Sequence, residues 1–435
     1  MLKDSPMKNK REERNPWLWV PSLYLSEGLP YVVVMTVSVI LYKRLDVSNT
    51  EIALYTSWLY LPWVIKPFWS PVVDLLKTKR FWIIVMQLFI GAGLAGVAFT
   101  LSTEKFFQYT LAFFWLMAFS SATHDIAADG FYMLSLKEHQ QSFFVGIRST
   151  FYRIAMLSGQ GLLVILAGHL EESSGKIHFA WQITFLILAA LFVLFFIYHL
   201  FILPHPKSDS PREQVQFKHF INEFLKTFIS FFKRKEIIVI ILFILLYRFA
   251  EAQLVKMASP FLLDSKAVGG LGLSTSDVGF VYGTVGIIAL SLGGILGGIV
   301  ASRHGLKFWI WWMLLAINLP DLVYVYLAAT QTSNFILINI CVAVEQFGYG
   351  FGFTAFMLYL IFISDGEYKT AHFAIATGLM ALGMMLPGMI SGWIQEQVGY
   401  LNFFIWVCIS TIPAFIITKF IKIDAEFGKR KLNSA

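Results

Sequence analysis

Long runs of apolar residues, interrupted by short polar segments, make up most of the chain from residue 17 to residue 421. A helix needs about 20 apolar residues to cross the hydrocarbon core of a bilayer, and each run has roughly that length. The pattern therefore predicts an all-α membrane protein with twelve transmembrane helices. The predicted helices cover residues 17–42, 50–76, 81–102, 107–135, 142–169, 179–203, 237–263, 275–302, 307–329, 333–363, 370–396 and 399–421. The composition agrees, since only 14% of the residues are charged, against about 25% in soluble proteins.

Most of the 34 Lys and Arg residues lie on alternate polar segments, beginning with the N-terminal tail and ending with the C-terminal tail. Positive residues accumulate on the cytoplasmic side of membrane proteins, so we expect both termini to be cytoplasmic. The net charge of +7 does not indicate nucleic-acid binding, because the basic residues lie on separate short loops rather than on one folded face. We expect the protein to contact membrane lipid and a small-molecule substrate, to bind no nucleic acid, and to be a monomer.

The composition changes between residues 204 and 236, where prolines and basic residues surround an amphipathic stretch. Apolar residues recur from Val215 to Ile229 at steps of three and four, which predicts a helix lying on the inner membrane face. This segment separates two groups of six predicted helices. The predicted division is a cytoplasmic tail at 1–16, a six-helix half at 17–203, a cytoplasmic linker at 204–236, a second six-helix half at 237–421 and a cytoplasmic tail at 422–435.

The two halves have the features of a repeat. Glu27 in the first predicted helix and Glu251 in the seventh lie at similar depth. The polar junction that contains Asp74 and Arg80 has a counterpart in the second half that contains Arg303. We expect these three junction residues to gate the cytoplasmic side; a simple charge pair of Asp74 with a neighbouring base is the alternative.

The segment from Ala122 to Tyr132 places Asp125 and Asp129 inside a predicted transmembrane helix. A carboxylate at mid-membrane costs about 2.5–3.5 kcal/mol on insertion scales, and residues four apart share one face of a helix. Helices four and five form an antiparallel hairpin, so the rise per residue brings Asp129 level with Arg148 and Asp125 level with Arg153. The acids are either proton carriers that respond to substrate or members of a permanent clasp between two helices.

His124 lies next to Asp125 but about 100° away around the helix, so the two side chains face different directions. It is either a titrating group in the cavity or a packing histidine. We expect no metal site, because no second His or Cys stands nearby at ligand spacing.

Further polar residues lie within the predicted helices of the second half. Arg248 and Glu251 are three apart and can pair on one helix face. Lys256 lies nearer the outer end, where we expect its side chain to extend toward the interface. Glu345 and Gln346 are candidates for the lining of the second half of the cavity. Lys66 is either an anion ligand or a partner for Glu27, and Asp321 is a further acid within a predicted helix, without an identified partner.

Three motifs carry a resemblance to a known family. SEGLP at residues 26–30, LPWVIKPFWSPVVD at 61–74 and above all ATHDIAADGFY at 122–132 resemble the peptide–acetyl-coenzyme A transporter branch of the major facilitator superfamily, which contains the AmpG-type muropeptide permeases. The family pattern in the third motif has Gln where this chain has His124. The resemblance covers roughly the first 160 residues and implies the major facilitator fold of two six-helix halves.

The resemblance also implies a function. AmpG-type proteins import anhydro-muropeptides for cell-wall recycling across the bacterial inner membrane, so we expect alternating access driven by the proton gradient, with no other cofactor and no enzymatic activity. The expected proton-coupling residues are Glu27, Asp125, Asp129 and Glu251, and the expected substrate ligands are Arg153, Arg148, Lys66, His124, Arg248, Glu345 and Gln346. A siderophore or acetyl-coenzyme A is the alternative cargo. An intramembrane acyltransferase that uses His124 and Asp125 is disfavoured, because adjacent residues do not face a common point.

Overall fold

The computed structural model describes residues 14–209, 217–366 and 368–429, and every regular element in these ranges is helical. In chain order the helices are α1 (Pro16–Arg44), α2 (Asn49–Trp58), α3 (Leu61–Leu76), α4 (Lys79–Thr100), α5 (Phe106–Ser135), α6 (His139–Ser174), α7 (Ile177–Ile202), α8 (Phe217–Phe232), α9 (Ile237–Leu263), α10 (Thr275–His304), α11 (Leu306–Thr330), α12 (Phe335–Ser364), α13 (Lys369–Ile409) and α14 (Ile412–Thr418). The prediction of an all-α protein is confirmed for the described ranges.

Nine helical stretches among the described residues are long and apolar enough to cross a membrane. The predicted second span is divided into α2 and α3, each shorter than 18 residues. The predicted fourth span is the 30-residue α5, whose polar residues lower its mean hydropathy. The last stretch, Ala371–Thr418, contains Gly399 at φ 76°, a backbone conformation that glycine tolerates without strain. The predicted boundary between the last two spans lies at this glycine, and the total of twelve stays a prediction.

The chain forms two compact units. The first contains Met1–Leu41 and Phe68–Val215, and the second contains Tyr42–Pro67 and Gln216–Ala435. The sequence places residues 42–67 in the N-terminal half, whereas in the structure they group with the second unit, because α2 packs along α13. The division into two halves at residues 204–236 stays a prediction.

Within the first unit, α1 lies against α5 and α6, and α4 packs between α5 and α7. One of its core clusters is rich in aromatic residues, with the rings of Trp19 and Phe131 in edge contact at 5.3 Å. Within the second unit, α12 packs against α10 and α11, and α13 packs against α2 and α9. The rings of Phe243 and Tyr359 pack in its core with their centres 4.4 Å apart and their planes tilted by 58°.

The predicted amphipathic helix is present as α8. Val215 lies outside the described residues, as do the side chains of residues 217–224. In the described part of the helix Leu225, Ile229 and Phe232 are exposed apolar side chains. They suit a surface that rests on the membrane, and that placement stays a prediction.

Candidate functional site

A pair of acidic side chains lies at the centre of the first unit. Glu27 on α1 is buried, and its carboxyl group hydrogen bonds with that of Asp125 on α5. Its Oε2 atom has no hydrogen-bond partner among the described residues. Two carboxyl groups that share a site do not readily ionise together. This arrangement can take up and release a proton.

Gly28 determines how closely α1 approaches α6 beside this acid pair. A Cβ atom at Gly28 would lie 2.7 Å from the Cβ of Ala155 and 3.2 Å from the carbonyl oxygen of Tyr152. Only a residue without a side chain allows this contact. The close approach brings Glu27 into the interior of the unit.

The predicted pairing of Asp129 with Arg148 is confirmed. Arg148 Nη2 lies 2.8 Å from Asp129 Oδ1, and the hydroxyl of Tyr24 donates to the same oxygen at 3.2 Å. The guanidinium also lies 4.6 Å from the centre of the Tyr24 ring and 5.2 Å from that of Tyr132. A guanidinium over two aromatic faces gains cation–π attraction in addition to the ion pair.

The two tyrosines were not singled out from the sequence, although a signal for them exists. Tyr24 precedes Glu27 by three residues and Tyr132 follows Asp129 by three, which is the spacing of neighbours on one helix face.

Arg153, the predicted partner of Asp125, is partly buried on α6. The pairing of Arg153 with Asp125 stays a prediction.

His124 belongs to a separate buried network. The side-chain amide of Gln87 on α4 contacts Ser26 Oγ at 3.1 Å, His124 Nε2 at 3.1 Å and His199 Nδ1 at 2.8 Å. His199 in turn contacts Ser22 Oγ at 2.9 Å. Ser26, Gln87 and both histidines are fully enclosed by protein. This is the position of a packing histidine, and its direction away from Asp125 follows the helical spacing.

In the second unit, Arg248 lies against an aromatic pair on α12. Its Nη2 donates to the Tyr349 hydroxyl, and its guanidinium carbon lies 5.1 Å from the Tyr349 ring centre and 4.8 Å from that of Phe353. The predicted ion pair of Arg248 with Glu251 is wrong. Arg248 has non-helical dihedral angles, φ −112° and ψ 20°, so the two side chains do not have the spacing of a continuous helix.

Three further carboxyl groups are buried in the second unit. Glu251, Asp321 and Glu345 are each 1% exposed and interact electrostatically with one another. Both oxygens of Glu345 accept from Gln346 Nε2, at 3.2 and 3.0 Å. The carboxyl oxygens of Glu251 and Asp321 have no hydrogen-bond partner in the described chain. A buried carboxylate without donors is costly, and a bound proton removes the cost.

These acids do not form a metal site in the structure. No group of three or more His, Cys, Asp or Glu residues in the described ranges is arranged to hold a metal ion.

The predicted gating residues lie at helix ends. Arg80 donates to the carbonyl oxygen of Leu200 at 2.5 Å, and the backbone amides of Lys79 and Arg80 donate to the Asp209 carboxylate at 2.6 and 3.0 Å. Arg303 is exposed near the end of α10, and the Asp74 side chain lies outside the described part. Their gating role stays a prediction.

The two remaining lysines differ in position. Lys66 is partly buried on α3. The expectation that Lys256 extends to the membrane interface is wrong, because its side chain is buried and its Nζ donates to Thr56 Oγ1 at 2.9 Å. The packing of α9 against α13 and α2 encloses it.

The chain is similar in sequence to a family of transporters and to individual members of it. The model of the Major Facilitator Superfamily matches residues 22–386. The chain is 26% identical over 416 residues to "Putative transporter AmpG 4" of Rickettsia conorii, covering 92% of this chain and 94% of that one. It is 25% identical over 370 residues to the "Anhydromuropeptide permease" of Escherichia coli K12, covering 82% of this chain and 69% of that one.

Solved structures of transporters have the same fold. A D-xylose–proton symporter superposes with a TM-score of 0.72 at 12% identity, covering 95% of this chain and 98% of that one. The nucleoside transporter NupG superposes with a TM-score of 0.68 at 15% identity, covering 94% of this chain and 100% of that one. At this identity the likeness concerns the fold.

Proposed function

Because this chain belongs to the Major Facilitator Superfamily, we propose that it is a proton-coupled importer of anhydro-muropeptides in the bacterial inner membrane. The observation that carries the proposal is the pairing of the buried Glu27 with the half-buried Asp125, beside the Asp129–Arg148 ion pair. The name of the Escherichia coli relative supports the choice of cargo. Twelve transmembrane helices in two halves, 17–203 and 237–421, with both termini cytoplasmic, complete the proposal.

Substrate and proton are coupled through Arg148 in this mechanism. A muropeptide carries carboxylates, and a substrate carboxylate competes with Asp129 for the guanidinium. Once Asp129 loses its partner it gains affinity for a proton, because a nearby positive charge no longer favours the ionised form. The acid pair of Glu27 and Asp125 is the neighbouring proton donor. Binding of the substrate therefore changes where the proton resides.

The tyrosines around Arg148 add a second kind of recognition. The rings of Tyr24 and Tyr132 lie 4.6 and 5.2 Å from the guanidinium carbon and restrict the orientation in which Arg148 meets a carboxylate. In the second unit, Glu251, Asp321 and Glu345 hold further protons, and Arg248 is a second cationic ligand. Arg153 and Lys66 are ligands for other carboxylates of the cargo.

The experiment that tests the proposal is uptake of radiolabelled anhydro-muropeptide into proteoliposomes, with and without an inward proton gradient. We expect gradient-driven uptake by the native protein and its near-complete loss in Asp125→Asn, which cannot release a proton. The matched control is Glu172→Gln, which neutralises an exposed carboxylate near the C-terminal end of α6 and should transport normally.

Two results would contradict the proposal in different ways. Normal gradient-driven uptake by Asp125→Asn would make the polar residues of α5 a structural clasp. Absence of muropeptide uptake by folded native protein would remove the cargo, and siderophores and acetyl-coenzyme A would then be assayed in the same vesicles.

A further inference from the structure

Lys256 is a buried cation within a predicted transmembrane segment. Its side chain on α9 is 5% exposed, and its ammonium group donates one hydrogen bond, to Thr56 Oγ1 on α2 at 2.9 Å. The Tyr60 ring centre lies 5.7 Å from Nζ, which provides weak cation–π attraction. A lysine ammonium has three N–H donors, so two of them remain available.

No carboxylate balances this charge. In the ranges that the structure describes, no acidic oxygen lies within 4.0 Å of Lys256 Nζ. The buried acids Glu251, Asp321 and Glu345 interact with one another and make no ion pair with it. A buried charge without a partner costs several kcal/mol. A ligand that brings a negative charge removes that cost.

A second unpartnered polar group lies beside the lysine. The Ser57 hydroxyl on α2 is fully buried and has no hydrogen-bond partner among the described residues. Gly388 on α13 lies next to both groups: a Cβ atom there would be 2.8 Å from Ser57 Oγ and 3.7 Å from Lys256 Cε. The missing side chain at residue 388 allows α13 to approach closely beside the unpartnered hydroxyl and the ammonium, which has two donors left over.

We propose that Lys256, Ser57 and Gly388 form an anion-binding site that receives a carboxylate of the transported molecule. The ammonium and the hydroxyl donate to the two carboxylate oxygens, while Thr56, whose own hydroxyl donates to the Ile52 carbonyl at 2.6 Å, orients the ammonium. A single positive charge matches a carboxylate better than a phosphate dianion, which is usually met by several cations or backbone amides. The identity of the cargo rests on the proposed function; the site does not.

The test measures thermal unfolding of the purified full-length protein in nanodiscs with N-acetyl-D-alanine, which carries a carboxylate, and with N-acetyl-D-alaninamide, which is neutral. A ligand that binds the folded state raises the unfolding temperature. We expect the carboxylate to stabilise the native protein and the amide to leave it unchanged. Lys256→Met keeps the apolar stem and removes the charge, so it should bind the carboxylate about 10- to 100-fold more weakly.

Two variants control for the loss of a lysine. Lys256→Arg retains the positive charge and should retain a preference for the carboxylate. Lys266→Met removes the same charge at an exposed position, where Nζ donates to Ser333 Oγ at 2.5 Å, and should respond as the native protein does. An unchanged carboxylate response in Lys256→Met, or no response in the native protein, would overturn the proposal.

Gly388→Ala keeps every polar group and places a methyl group against the Ser57 hydroxyl, which must move, and Ser57→Ala removes only the hydroxyl. We expect both variants to fold and to lose much of the carboxylate response, which keeps the test decisive if Lys256→Met does not fold. Full responses in both variants would place the anion elsewhere.

The outcomes of this test are separate from those of the transport assay. A carboxylate response that depends on Lys256, without muropeptide uptake, would support the anion-binding site and contradict the proposed cargo. Muropeptide uptake together with a carboxylate response that is unchanged in Lys256→Met would support the proposed function and contradict the anion-binding site.

Discussion

The guanidinium of Arg148 is enclosed by one carboxylate and two tyrosine rings, and each contact uses a different property of the group. Asp129 meets its charge, whereas the rings of Tyr24 and Tyr132, which are nearly perpendicular to each other, lie 4.6 and 5.2 Å from its central carbon. A lysine at this position would keep the charge but would lose the planar, forked geometry. The site therefore depends on arginine itself and not on positive charge alone.

At the scale of single residues we predict that Arg148→Lys raises the KM for muropeptide uptake about tenfold, since roughly 1–2 kcal/mol of stacking and bidentate bonding is lost. The measurement is the concentration dependence of uptake in proteoliposomes. Tyr132→Phe is the control, because it keeps the ring and removes only the hydroxyl that donates to the Gln141 carbonyl oxygen. An unchanged KM in Arg148→Lys would show that the guanidinium does not meet the substrate.

Helix packing determines where the buried charges lie. Glu27 meets Asp125 where α1 packs against α5 and approaches α6 closely at Gly28, and Lys256 is enclosed because α9 packs against α13 and α2. In both cases a residue without a side chain, Gly28 or Gly388, allows the close approach of the helices beside the polar group. The glycines of these helices thus position charges as well as backbones.

At the scale of elements we predict that Gly28→Ala is about 1–3 kcal/mol less stable than Gly146→Ala, because its added methyl group lies 2.7 Å from Ala155 Cβ and overpacks the contact. Both changes gain the same helix propensity, and a methyl group at Gly146 meets nothing within 4 Å. Thermal unfolding in detergent measures the difference, and muropeptide uptake should fall only in Gly28→Ala. Equal stability of the two variants would mean that α1 can move away from α6 with no loss in the free energy of unfolding.

The distribution of charge along the whole chain favours one orientation in the membrane. Most basic residues lie on the tails and on alternate loops, and the potential and machinery of the membrane retain such segments in the cytoplasm. The expected orientation places Glu172 outside and Ser208 inside, and both are exposed side chains.

At the scale of the molecule we predict that a membrane-impermeant maleimide labels Glu172→Cys in spheroplasts and labels Ser208→Cys only after the membrane is opened. The unsubstituted protein is the control, because its two cysteines, Cys341 and Cys408, are buried or half-buried. Labelling of Ser208→Cys in closed spheroplasts would reverse the proposed orientation.

The features that were predictable from the sequence depend on local spacing. The length of apolar runs predicted the helices, and the hairpin of α5 and α6 brought Asp129 to Arg148, because both residues are counted from the same short loop. His124 and Asp125 were predicted to face different directions because adjacent residues lie about 100° apart around a helix. Where local geometry departed from the regular helix, as at Arg248, the predicted pair with Glu251 was wrong.

Contacts between residues far apart in the chain were not predictable in this way. The meeting of Glu27 with Asp125, of Gln87 with His199 and of Thr56 with Lys256 depends on which helix packs against which. Hydrophobic periodicity indicates that a helix has a buried face. It does not indicate which of the other helices covers that face. The sequence therefore sufficed for the helices, the charges they carry and the family resemblance. The packing of the helices decided which charges meet and which, like Lys256, remain without a partner.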